Sequence, residues 1–155
     1  MRLRRRVVLF FATGGGLGYL PVAPGTFGSL FGLLPCWGLS LLKISHAALI
    51  TLFFIVLASW AAHAAERYWD KKDPRNIVAD EIAGMMVTLL GLPFNPITAI
   101  FGFAVFRVLD VLKPFPIRYV ERKLPGGIGV VLDDVAAGIF GNLILRLVLW
   151  ATVAL

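Results

Sequence analysis

Charge is scarce in this chain. Of 155 residues only 15% are Asp, Glu, Lys or Arg, while 59% are hydrophobic, and soluble domains carry about a quarter charged residues. That balance excludes an ordinary water-soluble domain, and the length suits one compact unit. Cysteine is nearly missing. The lone Cys36 lies in an apolar run, so no internal disulfide forms, and no arginine follows within seven residues to make a cysteine-phosphatase loop. Histidine occurs twice, as His46 and His63, at apolar or boundary positions without the Asp and Arg partners of phosphohistidine chemistry. Both read as structural. No serine sits in a nucleophile elbow, and no lysine completes a P-loop. Without a side-chain nucleophile, metal-activated water is the natural attacking group.

What charge there is leans basic, with 15 Lys and Arg against nine Asp and Glu, a net +6. The basic residues gather in short loops between apolar runs, as the positive-inside rule expects, rather than forming the basic face of a nucleic-acid binder. The opening Arg2, Arg4, Arg5 and Arg6 precede only six apolar residues before Thr13-Gly14-Gly15-Gly16, and no small-residue cleavage site follows. We expect a retained basic segment at an anionic membrane surface rather than a signal peptide.

Four stretches suit a bilayer. Residues 26–42 carry no charge and are interrupted only by Pro35; residues 44–65 follow across Lys43, tightly enough to require a helical hairpin. Residues 77–109 are broken by Leu92-Pro93-Phe94-Asn95-Pro96, and two prolines so close favour a turn. Each half spans roughly 21–24 Å of helix, short of a ~30 Å hydrocarbon core. The stretch is therefore either one kinked span or a shallow, re-entrant hairpin. The preceding loop carries Arg67, Lys71, Lys72 and Arg75, and the following one Arg107, Lys113, Arg118, Arg122 and Lys123. Both belong in the cytoplasm, so the chain must enter and return. The last stretch, residues 135–155, contains Asn142 and Arg146. The expected fold is all-α, an integral membrane bundle of four to five embedded helices with the N-terminus inside. It forms one domain, in which residues 1–25 are a basic segment with a Gly/Pro-rich loop and residues 26–155 the bundle.

Acids occupy unusual places. Asp80-Glu81 and Asp133-Asp134 both sit in apolar helical stretches, where an uncompensated carboxylate is costly and marks a functional candidate. Neighbours on a helix point about 100° apart, so one member of each pair can face a ligand. Carboxylates without nearby His or Cys suit a hard cation such as magnesium; the alternative is pairing with local Arg or Lys. A hairpin brings Asp80, Glu81, Asp110, Asp133 and Asp134 to one membrane boundary, whereas a single span would split them. We expect boundary acids, not buried ones. The recurrence of hydrophobics, an acidic pair and glycine is too short to establish a duplication.

Three further segments carry chemistry. Arg107, Asp110 and Lys113 share one helical face, which Lys113-Pro114 then terminates; this reads as a phosphate clamp or as an ordinary intrahelical ion pair. In Gly25-Thr26-Phe27-Gly28-Ser29 the glycines allow close approach, and Thr26 and Ser29 can cap the helix that follows. Such a turn presents N–H groups to an anion, or simply starts a membrane helix. Pro125-Gly126-Gly127-Ile128-Gly129 either bends the chain against a headgroup or connects two elements.

Together these segments resemble phosphatidylglycerophosphatase A, a magnesium-dependent bacterial membrane phosphatase. The resemblance rests on Leu20-Pro21-Val22-Ala23-Pro24-Gly25-Thr26-Phe27-Gly28-Ser29, on Asn76-Ile77-Val78-Ala79-Asp80-Glu81-Ile82-Ala83-Gly84, on Phe106-Arg107 through Asp110 to Lys113-Pro114-Phe115-Pro116-Ile117, and on Gly126-Gly127 through Gly129 to Asp133-Asp134-Val135-Ala136-Ala137-Gly138. The segments stand in the family's order. Leu109 replaces a frequent aromatic and Phe115 the usual tryptophan, both without loss of charge. The resemblance implies removal of the terminal phosphate of phosphatidylglycerophosphate, giving phosphatidylglycerol and inorganic phosphate, at the cytoplasmic face of the bacterial inner membrane. It implies Asp80, Glu81, Asp133 and Asp134 as magnesium ligands, with Asp110 joining the catalytic set. Thr26, Gly28, Ser29, Arg107 and Lys113 then bind phosphate. Its partners are the phospholipid and the membrane, with no nucleic acid, and it leaves the oligomeric state open. The rival class is a small cation-coupled transporter or channel, which would set its acids near the bilayer centre.

Overall fold

In the computed structural model residues 2–71, 73–124 and 126–154 are described, leaving aside the side chains of residues 120–122, 153 and 154. Lys72, Pro125, Leu155 and the Arg122 side chain, which the sequence reading used, lie outside the described residues. Among the described residues there are seven α-helices and no strand: α1 (Arg2–Ala12), α2 (Pro24–Ser40), α3 (Ile44–Trp69), α4 (Ala79–Leu89), α5 (Pro96–Leu112), α6 (Ile117–Lys123) and α7 (Gly126–Ala154), with a 3-10 turn at Leu17–Tyr19. The all-α expectation holds.

Helix α4 is the centre. It has eleven residues, about 16 Å of helix, and buries nine of them, from Ala79 to Leu89. It packs against α2, α3, α5 and α7. Small residues make this possible. A Cβ added to Gly84 would overlap the Phe106 ring and stand 2.9 Å from the Asp134 carbonyl oxygen, and one on Gly138 would lie 2.5 Å from the Gly84 carbonyl oxygen. Backbones in contact gain dispersion where lipid leaves little hydrophobic force between helices.

Residues 77–109 form a hairpin, not one kinked span. Gly91 takes φ 69°. The Asn95 side chain accepts the Thr98 N–H at 2.9 Å, and Pro96 occupies the first helical position, where its missing donor costs nothing. Helix α5 then returns antiparallel, with Phe106 beside Gly84 and Gly102 beside Leu89. The far end of α4 would leave carbonyls orphaned inside the protein. Asn142 Nδ2 donates to the carbonyls of Val87, Thr88 and Leu90 at 3.2, 2.9 and 3.0 Å. Arg146 adds a bond to Leu90 at 3.0 Å and one to Asn142 Oδ1 at 2.7 Å. These two polar residues of an apolar helix therefore close the end of its neighbour.

The exterior is apolar. Helices α3 and α7 are long and apolar enough to cross a membrane, and only 22% of the most apolar stretch of α3 is buried. Leu30, Leu34 and Trp37 of α2, Leu49, Phe53 and Val56 of α3, Ile100 and Phe101 of α5, and Leu143, Leu147 and Trp150 of α7 are all exposed, far more than a water-facing surface carries. Helix α1 packs Val8 and Ala12 onto Ala58, Ala61, Ala62 and Ala65 of α3.

Two boundaries differ from the sequence reading. Helix α7 starts at Gly126 rather than Val135, so the glycine segment, read as a bend or connector, is its first turn. The reason is packing: a Cβ on Gly127 would run into the α3 backbone at His63. Helix α2 starts at Pro24, behind Ala23 at φ 45°, with no side-chain cap, and continues through Pro35. Thr26 and Ser29 therefore do not cap it.

Candidate active site

Four helices bring their charged ends together. The N-termini of α2 and α4, the C-terminus of α5 and the second turn of α7 enclose a cavity of about 340 Å³. It is lined by Gly25, Thr26, Asp73, Arg75, Asp80, Glu81, Arg107, Asp110, Lys113, Asp133 and Asp134, among others. Eight of the ten residues singled out from sequence meet here. The hairpin causes this, since it returns α5 to the end from which α4 departs.

Asp80, Glu81 and Asp134 each offer one carboxylate oxygen within 4.8 Å of the others. Asp80 and Glu81 stand in the first turn of α4, where the helix dipole favours negative charge. The two acidic pairs are built alike. Asp80 Oδ1 accepts the Glu81 N–H at 3.1 Å, and Asp133 Oδ1 accepts the Asp134 N–H at 3.0 Å. Asp80, Asp133 and Asp134 are only 7%, 3% and 4% exposed, which corrects the expectation that these acids are not buried. They are buried because α4 lies inside the bundle and α7 begins two turns before its acids. α4 is too short to cross a bilayer, and at its first turn burial pushes the Asp80 and Glu81 carboxyls above the ordinary carboxylate range; for Glu81 the Asp80 charge adds to this.

The cations divide their work. Arg107 Nη1 bonds Asp110 at 2.6 Å and Ser29 Oγ at 3.3 Å, and lies 4.0 Å from Glu81 Oε1. The fully buried Phe106 anchors this turn of α5. Lys113, just beyond α5 at φ 44°, pairs with Asp133. That separates Asp133 from the three clustered acids, although the sequence reading grouped all four as ligands.

Gly28 and Ser29 do not line the cavity. Gly28 faces Val78, whose Cβ would stand 2.8 Å from an added side chain, so its role is packing of α2 on α4. Ser29 is buried, donates to the Gly25 carbonyl at 2.9 Å and supports Arg107 from behind. Gly25 meets the acids directly: a Cβ there would collide with Glu81 Oε1. Sequence reasoning missed Asp73 and Arg75. Asp73 is held at φ 46° while Glu66 Oε1 accepts its N–H at 2.9 Å. The only local signal was an acid ahead of Pro74 in a loop otherwise read as basic.

The three-carboxylate cluster fits a hard divalent cation. Its donors are all oxygen, and Glu81 Oε2 is buried without a hydrogen-bond partner among the described residues.

The chain matches the family described as phosphatidylglycerophosphatase A over residues 10–149. It is 38% identical to a phosphatidylglycerophosphatase A of Escherichia coli over 132 residues, covering 83% of this chain and 75% of that protein. It is 37% identical to one of Haemophilus influenzae, covering 86% and 83%. A protein of Bacteroides thetaiotaomicron described as a candidate phosphatidylinositol-3-phosphatase is 36% identical, covering 92% and 93%. No solved structure matches the chain.

Proposed function

The chain belongs to the phosphatidylglycerophosphatase A family, and from that premise we propose that its charged cavity removes the terminal phosphate of phosphatidylglycerophosphate with the help of magnesium. The observation that carries this reading is the convergence of Asp80, Glu81 and Asp134 within 4.8 Å, beside Arg107, in one cavity at the end of an apolar bundle. Products are phosphatidylglycerol and inorganic phosphate.

Asp80, Glu81 and Asp134 would hold magnesium, which when bound supplies Lewis acidity toward the phosphoryl group and toward water. The protein's own part is positioning and charge. Arg107, fixed by Asp110 and Ser29, offers its guanidinium to phosphoryl oxygens whose charge grows during transfer. Lys113 adds positive charge from the opposite wall and is oriented by Asp133. The first turn of α2 sets Gly25 and Thr26 at the cavity, so the positive end of its helix dipole lies toward the monoester, while the Thr26 N–H is held by the Ala23 carbonyl at 3.0 Å. Glu81 Oε2, buried and without a partner among the described residues, is placed to take a proton or a cation.

Helices α2, α3, α5 and α7 embed in the membrane with α4 enclosed among them, giving the four to five embedded helices that the sequence suggests. Arg67, Lys71, Arg75, Arg118 and Lys123 lie toward the cavity end, which orients the site to the cytoplasm of the bacterial inner membrane by the positive-inside rule. Residues 1–155 work as one phosphatase domain.

The deciding experiment measures phosphate release from phosphatidylglycerophosphate in detergent micelles, with magnesium or with EDTA, and from phosphatidylinositol 3-phosphate in parallel. We expect magnesium-dependent release that is faster from phosphatidylglycerophosphate. Release indifferent to EDTA, or faster from the inositol lipid, defeats the corresponding half of the reading.

A further inference from the structure

Beyond the phosphoryl cavity lies a second groove of about 450 Å³, lined by Leu112, Lys113, Pro114, Phe115, Arg118 and Tyr119. Lys113 lines both spaces, so the groove adjoins the reaction centre. One of its lining residues, Leu112, belongs to the exposed apolar set Val108, Val111 and Leu112 at the end of α5. Phe115 is 86% exposed and Tyr119 is half exposed beside it, their ring centroids 6.5 Å apart. Aromatics so placed suit the headgroup level of a membrane. Arg118 is exposed and makes no hydrogen bond or ion pair among the described residues, although the aromatic floor and Lys113 surround it.

We propose that this groove is the headgroup subsite. It receives the phosphodiester and bridging glycerol of the lipid, with Arg118 as the residue that recognises the diester charge. The inference rests on the reading of the cavity as a lipid phosphomonoesterase site. Once the monoester occupies the cavity and the acyl chains lie in the bilayer beside α5, the diester must sit between them, and the groove occupies that path. Its charge matches the occupant. The diester is a monoanion, and a guanidinium forms paired charge-assisted hydrogen bonds to phosphate oxygens. Phe115 and Tyr119 supply an apolar floor for the glycerol carbons. Arg118 would select substrate without taking part in phosphoryl transfer.

The test compares the wild type with Arg118→Gln and Arg118→Lys in phosphatidylglycerophosphate micelles. Inorganic phosphate and glycerophosphoglycerol (the diester without the monoester) serve as separate inhibitors. Because Arg118 is exposed, both variants keep the fold. We expect Arg118→Gln to raise KM about tenfold and to weaken inhibition by glycerophosphoglycerol in parallel, while kcat and inhibition by inorganic phosphate stay unchanged. Arg118→Lys recovers most of the KM. An unchanged KM overturns the subsite, and so does a parallel loss of phosphate inhibition, which would move Arg118 into the phosphoryl cavity. If the wild type itself releases no phosphate from phosphatidylglycerophosphate, the underlying reading falls and the subsite falls with it.

Discussion

Asn142 of α7 donates to the Thr88 carbonyl of α4 at 2.9 Å, closing the open end of the helix whose other end carries Asp80 and Glu81. The reaction centre is thus held from both ends of one eleven-residue helix. Substituting Asn142→Leu removes three bonds to half-buried carbonyls and should destabilise the protein by about 2–4 kcal/mol. Thermal unfolding in detergent checks it. Below the lowered Tm, activity should persist, because the change lies far from the cavity.

Asp80→Asn and Asp134→Asn each take one carboxylate from the cluster. Phosphate release should fall at least about a hundredfold, while Tm stays level or rises as repulsion among buried acids is relieved. Turnover near that of the wild type in either variant would remove that residue from the site.

Gly25→Ala tests shape without charge. The new methyl group meets Glu81 Oε1, and a displacement of that size can cost about a hundredfold in rate. Steady-state kinetics should show the loss mainly in kcat, with expression and unfolding temperature close to normal.

Proton competition should appear in the magnesium requirement. The Asp80 and Glu81 carboxyls sit above the usual carboxylate range, chiefly from burial. They therefore retain protons to higher pH than exposed acids do, and a cation must displace those protons. Lowering the pH should raise the magnesium concentration needed for half-maximal activity. A requirement that is flat across the acidic range would refute this.

Topology can be mapped with single cysteines. The native thiol, Cys36, is buried, and Cys36→Ser keeps a donor for the Met85 carbonyl bonded at 3.3 Å. In that background Lys43→Cys, in the turn between α2 and α3 at the end away from the cavity, should react with a membrane-impermeant maleimide from outside the cytoplasm. Lys71→Cys, at the cavity end, should react only after permeabilisation. The opposite pattern reverses the proposed orientation.

Much of the site was legible because its residues break a pattern. Acids in apolar helices stand out in one dimension, and so does an Arg-x-x-Asp-x-x-Lys face. Gly28 and Ser29 could not be sorted from Gly25 and Thr26 in the same way. Their difference is which side of α2 meets α4, and that depends on Val78, fifty residues later. Asp73 was hidden because its loop reads as solvent-exposed and basic. In the fold, its bond to Glu66 and its left-handed backbone accompany its place in the cavity wall. Asn142 and Arg146 are two polar residues in an apolar run as far as the sequence goes, and only the end of α4 beside them gives them their acceptors.

By itself the sequence determined the class of the molecule. Sparse charge and apolar runs require helices that satisfy their own backbones, the Pro93–Pro96 segment favours a turn, and two acidic pairs require compensation. Tertiary structure decided which acid meets a base and which acids gather together. Asp133 goes to Lys113, whereas Asp134 joins Asp80 and Glu81. Neighbours on one helix diverge by about 100°, and only the packing of α4 against α7, through Gly84 and Gly138, selects which carboxylate of the second pair joins Asp80 and Glu81.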